Sequence, residues 1–206
     1  MFIQICFTMC SKETLFETKT FRNVGKQTLQ PYPSGWGFYI RKKMLENSIY
    51  YGKSEFYDII RNLGGTWNDS KERPIVALIK LSKDEDICWA VPMGNWYHRD
   101  ASAQERINKY LNFDESDIRS CFYHVGRTDT KSIFFISDII PITDNFIERE
   151  YKSKYTGEPY VIKNKELISE LTRKAKRILA WENANPNFYR QHITDLKNYL
   201  LNSKSN

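Results

Sequence analysis

The chain predicts an α+β fold: a small, strongly curved antiparallel sheet or barrel with a C-terminal helical hairpin and an irregular N-terminal extension. Three observations predict it. Four short apolar or β-branched runs, PIVALIKL from Pro74, ICWAVPM from Ile87, CFYHV from Cys121 and SIFFISDIIPI from Ser132, are separated by turns, as in a tightly curved sheet. Beyond Asn164 the apolar spacing changes to the helical period of 3.6 residues, twice over. The first 43 residues show neither period.

Taken in order, FETKTFRNVGKQTLQPYPSGWGFYIRKK scatters aromatics among Gly25, Pro31, Pro33, Gly35 and Gly37 and reads as loop with one or two short strands. The boundary is therefore drawn with an extension over 1–43 and the main domain over 44–206. The apolar start MFIQICFTMC has no basic flank and no small-residue cleavage site, so it reads as a strand or a disordered start rather than a secretion signal. Ser54 is placed as the N-cap of a short helix carrying Phe56, Ile59, Ile60 and Leu63 inward, stopped by Gly64 and Gly65. Between the second and third strands SAQERINKYLNF is helical, with Ile107, Tyr110 and Leu111 at i, i+3, i+4. Asn164 caps a long helix whose stripe is Leu167, Ile168, Leu171, Ala175, Ile178 and Leu179, with Arg173, Lys174, Lys176 and Arg177 on its other faces. Asn183 to Pro186 breaks it. A second helix from about Asn187, with Tyr189, Ile193, Leu196, Tyr199 and Leu200 on one side, is expected to pack antiparallel to the first on the barrel.

Composition excludes several classes. With 206 residues, 41% hydrophobic and 15% aromatic, the chain can bury one substantial core and is not a disordered tail. No run approaches the ~20 apolar residues of a membrane span, so no membrane partner is expected. Cys6, Cys10, Cys88 and Cys121 lack paired CxxC spacing, and Cys88 and Cys121 sit inside apolar runs as small core residues, which favours a reducing cytosol. Net charge is +6, and from Arg149 onward twelve Lys and Arg face six Asp and Glu while the remainder is neutral. That asymmetry points to an anionic partner, nucleic acid before membrane; the alternative is a helix face kept basic for solubility.

No GxSxG, Walker or GxGxxG motif occurs, nor any HExxH or similar metal-spaced cluster, so catalysis without a metal or nucleotide cofactor is expected. Two strand-end segments crowd polar groups. MGNWYHRD places Trp96 and Tyr97 to stack bases, His98 to move a proton and Arg99 to hold a phosphate; the alternative is that the aromatics cover the edge of the core and the polar pair is merely exposed. YHVGRTDTKS offers His124, Arg127, Thr128, Lys131 and Ser132. RNA cleavage without metal needs one group to deprotonate the 2′-OH, one to protonate the leaving 5′-oxygen, and cations on the phosphorane. His98 and His124 could share the proton transfers in either order, with Arg99, Arg127 and Lys131 around the phosphate. His192 reads as a surface residue or an RNA contact on the last helix.

The order of segments IYYGKSEFYDII, ERPIVALIKL, ICWAVPMGN, SIFFISDIIPIT and LISELTRKAKRILAWENANP resembles the ToxN/AbiQ endoribonuclease toxins of type III toxin-antitoxin systems, from about Asn47 to Leu201. The resemblance implies a compact MazF-like curved barrel, metal-independent cleavage of RNA to a 2′,3′-cyclic phosphate, and a small repeat RNA as antitoxin partner. Residues 1–43 stand outside it. One departure matters: the family loop after the strand typically carries Thr, Ser and Lys, whereas this chain has Met93, Gly94, Asn95 and Trp96. Lys53 and Tyr51 match only the neighbourhood of the family's N-terminal polar residues, and Lys53 is carried over as an RNA contact. The competing classes are a non-catalytic basic RNA-binding module of the same fold and a protein-binding adaptor with a tyrosine-rich surface.

Overall fold

The computed structural model of the chain describes residues 43–67, 73–80 and 87–203; the expectations for the N-terminal extension, including Cys6 and Cys10, lie outside them. Among the described residues, seven strands form one antiparallel sheet: β1 (Ile49–Gly52), β2 (Ile75–Lys80), β3 (Ile87–Asn95), β4 (Tyr123–Arg127), β5 (Lys131–Phe135), β6 (Ile140–Thr143) and β7 (Ile147–Glu150). Four helices accompany it: α1 (Ser54–Asn62), α2 (Ala101–Leu111), α3 (Lys165–Ala184) and α4 (Ile193–Asn202). The strands follow the order β4-β5-β3-β2-β1-β7, with β6 also beside β3. The end strands β4 and β7 do not pair, so the sheet is not closed into a barrel. Helices bury both of its faces, and a sheet covered that way has no need of closure.

β3 organises the sheet because two strands share one of its edges. Its first half, Ile87 to Ala90, pairs with β6, and its last residues, Met93 to Asn95, pair with β5. Between them the chain makes a 3-10 turn at Ile136–Asp138, so the predicted single run SIFFISDIIPI is two strands. Pro92 fits this break. Met93 N donates to Pro74 O on the β2 side at 2.9 Å, so by alternation the donorless nitrogen of Pro92 faces the opposite edge, where the ladder is interrupted.

Alternation also sorts the core. On one face Ile49, Val76, Trp89, Val91, Met93 and Phe134 pack under Leu167, Leu171, Ala175 and Ile178 of α3. On the other, Tyr50, Ile75, Ala77, Ala90, Ile140 and Ile142 meet Phe56 and Ile60 of α1 and Leu196 and Leu200 of α4. A third cluster closes the hairpin end of that second face: Ile133 and Phe135 with Ile107 of α2 and Trp96. The two C-terminal helices therefore divide between the faces instead of lying together on one. Cys88 and Cys121 are buried free thiols, and burial pushes Cys88 up to about 12, which keeps it protonated near neutral pH.

Several boundaries differ from expectation for local reasons. Asn164 does cap α3, its Oδ1 accepting from Leu167 N at 3.1 Å. The cap of α1 is Lys53, without a side-chain hydrogen bond, and Ser54 is already helical. α4 starts at Ile193 and not near Asn187, because Asn187 and His192 hold positive φ of 59° and 50°, which no right-handed helix continues through. β7, in IERE, has too little apolar character to stand out in the sequence. No helix among the described residues is long and apolar enough to cross a membrane.

Candidate nucleic-acid interface

The β4–β5 hairpin ends in a turn braced by its own hydroxyls. Thr128 Oγ1 and Ser132 Oγ lie 2.7 Å apart, Ser132 Oγ donates to Thr130 O at 3.2 Å, and Ser132 is 1% exposed. These two expected RNA contacts therefore shape the turn and leave the surface to their neighbours Arg127 and Lys131. Asp129 reaches across the turn, accepting from Ser153 Oγ and Lys154 N, both at 3.0 Å. That tether brings the loop after β7 to the hairpin tip and sets Tyr155, 72% exposed, beside Arg127. The result is a cleft of about 490 Å³ lined by Tyr97, Arg127, Asp129, Lys131 and Tyr155. A second hollow of about 540 Å³ extends it past Ser153, Tyr160 and Lys163.

Tyr97 comes from the 3-10 turn Trp96–His98 that follows β3, where Asn95 Oδ1 accepts from Tyr97 N at 2.8 Å. Within this turn neighbouring aromatics part ways. Trp96 is buried against Ile107, Ile133 and Phe135, so it is not the base-stacking ring it was expected to be. Its ring instead carries Lys131, whose Nζ lies 4.7 Å from the centroid. Tyr97 is the ring left open, at 70% exposure, and His98 beside it is exposed. Arg99 folds back over Phe135, 5.4 Å from the ring centroid.

His124 is not brought to His98. Its ring lies 6.5 Å from that of Phe134, on the α3 face, while Trp96 and Lys131 occupy the other face. Burial and then the charge of Lys174 lower its pKa from 6.5, with Glu170 opposing. The hairpin therefore stands between the histidine turn and its expected catalytic partner, and no two-histidine pair is assembled.

The basic helix face also divides. Lys174 is 8% exposed and donates to Ser120 O at 2.8 Å and Tyr123 O at 3.0 Å; Arg177 donates to Glu115 O and Ser116 O. These two hold the segment leading into β4 and are not a free phosphate-tracking surface. Arg173 is exposed but paired with Glu170 at 2.9 Å, and Lys176 is exposed. Lys53 lies 3.5 Å from Glu55 at the start of α1, and Tyr51 lines a separate hollow with Arg149, Tyr151 and Lys152. His192 precedes α4 and its Nδ1 is bonded with Leu63 O at 3.0 Å, so it is a half-buried tie between segments. Sequence reasoning missed Tyr155, whose signal is a lysine-flanked aromatic in the Gly- and Pro-containing stretch KSKYTGEPY. Among the described residues no group of three or more His, Cys, Asp or Glu is placed to hold a metal ion.

No protein-family model matches the chain, and no curated protein matches it. Among solved structures it is similar to AbiQ, a lactococcal anti-phage endoribonuclease belonging to the type-III toxin-antitoxin system. The two are 10% identical with a TM-score of 0.50, over 77% of this chain and 98% of that one. The likeness is one of fold.

Proposed function

We propose that this chain, sharing its fold with an anti-phage endoribonuclease, is itself a metal-independent endoribonuclease of a toxin-antitoxin or phage-defence system, with an RNA antitoxin as partner. The observation that carries this is the cleft at the hairpin tip. Three segments distant in sequence bring two open tyrosines and two cations to one place, and the exposed His98 follows one of those tyrosines in the chain. In the proposed mechanism Tyr97 and Tyr155 stack bases flanking the scissile step, and Arg127 and Lys131 hold the phosphate. His98 takes the proton of the reacting 2′-OH or gives one to the leaving 5′-oxygen, with water serving the other end, while Lys131 stabilises charge on the phosphorane. The bond between phosphorus and the 5′-oxygen breaks as the 2′-oxygen attacks, leaving a 2′,3′-cyclic phosphate and a 5′-hydroxyl.

The test is cleavage of total RNA by the full chain in a chelator. The expected result is undiminished cleavage, a loss of about 10²- to 10⁴-fold in His98→Ala, and an unchanged melting temperature, because no packed core is disturbed. Full activity in well-folded His98→Ala removes that residue from the mechanism. One observation favours a second reading: His124 is on the far face, and His98, the neighbour of Tyr97 in the chain, is not among the residues that line the cleft. RNA binding by the wild type without any cleavage would establish the chain as a binding module.

A further inference from the structure

Phe135 lies on the same face of β5 as Lys131, two pleats along and so about 13 Å away. Its ring is covered by two cations, with the guanidinium carbons of Arg73 and Arg99 at 5.2 and 5.4 Å from its centroid. Arg190 completes the group, and it is bound through Nε at 3.1 Å and through Nη2 to the carboxylate of Asp138, in the 3-10 turn that follows Phe135. The charged neighbours that act on Arg73 are Arg99, Asp138 and Arg190, so three guanidiniums share one carboxylate, which Arg190 already occupies. Burial and then Arg99 lower the pKa of Arg73, so its charge is under-compensated where it stands. Arg99 lies flush on the backbone: a Cβ at Gly94 would sit 3.0 Å from its Nη2. Its Nε is buried with no hydrogen-bond partner, so the protein supplies no acceptor for that edge of the guanidinium. Tyr123 stands edge-on to Phe135 at 6.0 Å, and burial raises its pKa, which keeps the phenol a proton donor.

We propose that Arg73, Arg99 and Arg190 around Phe135 form a phosphate-binding site, and that its ligand is a phosphodiester of the RNA strand lying in the neighbouring cleft. Planar guanidiniums are suited to bidentate recognition of phosphate, and the short turn that carries Tyr97 into the cleft ends at Arg99, two residues on. The choice of RNA as the source of the phosphate rests on the function proposed above; the anion site itself does not.

The experiment uses the full chain and two probes, inorganic phosphate and a short 2′-O-methyl oligonucleotide, which lacks the free 2′-OH and cannot be cleaved by this chemistry. At constant ionic strength, phosphate is expected to shift the Nε–H resonances of Arg73 and Arg99 in the unmutated protein. Arg73→Gln is expected to bind the oligonucleotide about tenfold more weakly, with the slope of log K against log salt reduced by about 0.7. Arg73→Lys should recover little, since a point charge lacks the fork. Absence of the phosphate shifts in the folded wild type overturns the site, whatever the RNA assay gives and even if the variants fail to fold. Phosphate shifts with undiminished oligonucleotide binding by Arg73→Gln overturn the assignment to RNA. Arg73-dependent oligonucleotide binding without RNA cleavage refutes the nuclease reading and upholds the site.

Discussion

His124 shows how far one side chain's role depends on which way it points. Its folded pKa lies below the ordinary 6.5, so as pH falls the unfolded chain takes up the proton first. Its share of the stability is therefore complete above about 6.5 and lost as pH drops through that value toward the folded pKa, where the loss levels off. Melting temperatures measured across that window should fall in the wild type, and His124→Phe, which keeps a ring against Phe134, should flatten that part of the profile. An identical profile in the variant would contradict the assigned surroundings. Other single residues were less legible for a similar reason. Trp96 and Tyr97 offer the same chemistry in sequence, and only the turn decides which is buried. Lys174 is legible as a buried position: it stands three residues after Leu171 and four before Ile178, on the buried stripe of the helix.

At the scale of elements, long periodic segments were readable and short ones were not. α2 and α3 were foreseen within a residue or two, with the cap of α3 but not that of α2, because many side chains vote for each. The break within SIFFISDIIPI was invisible, since an apolar run with both faces buried looks the same straight or bent. The contact between α3 and β4 is close enough to test. A Cβ on Gly126 would meet Leu167 Cδ1 at 2.6 Å, so Gly126→Ala must displace the first turn of α3 or force the leucine from its rotamer. The expected cost is about 1–3 kcal/mol by denaturant unfolding. Adding Leu167→Ala should recover part of it, because the two changes share one space. A silent Gly126→Ala would mean that the helix does not rest there.

For the whole molecule, the count of charges told less than their employment. The excess beyond Arg149 is real, yet Lys174 and Arg177 spend their hydrogen bonds on the protein's own carbonyls, while the hairpin tip, in the neutral part of the chain, presents Arg127 and Lys131. Replacing Arg127 and Lys131 together with Gln should reduce the slope of log K against log salt for single-stranded RNA by roughly 1.4. Replacing Arg173 and Lys176 should leave it close to the wild-type value. The opposite ranking would return the interface to the helix face. The cleft itself could not be read from the sequence, because it exists only once Asp129 has joined the hairpin to a loop some 24 residues further on. Pro92 carries its own consequence at this scale, for the fidelity of assembly. From Phe134 to Ile140 the chain takes six residue steps while β3 takes three from Met93 to Ala90, so the slack in the β5–β6 edge has to fall opposite one short stretch. A proline there cannot reward a slipped alignment with a ladder bond, and a slip of one residue would also turn the β5 and β6 side chains to the wrong layers. The missing donor thus acts as a register stop, allowing the edge of the central strand to be completed in one alignment.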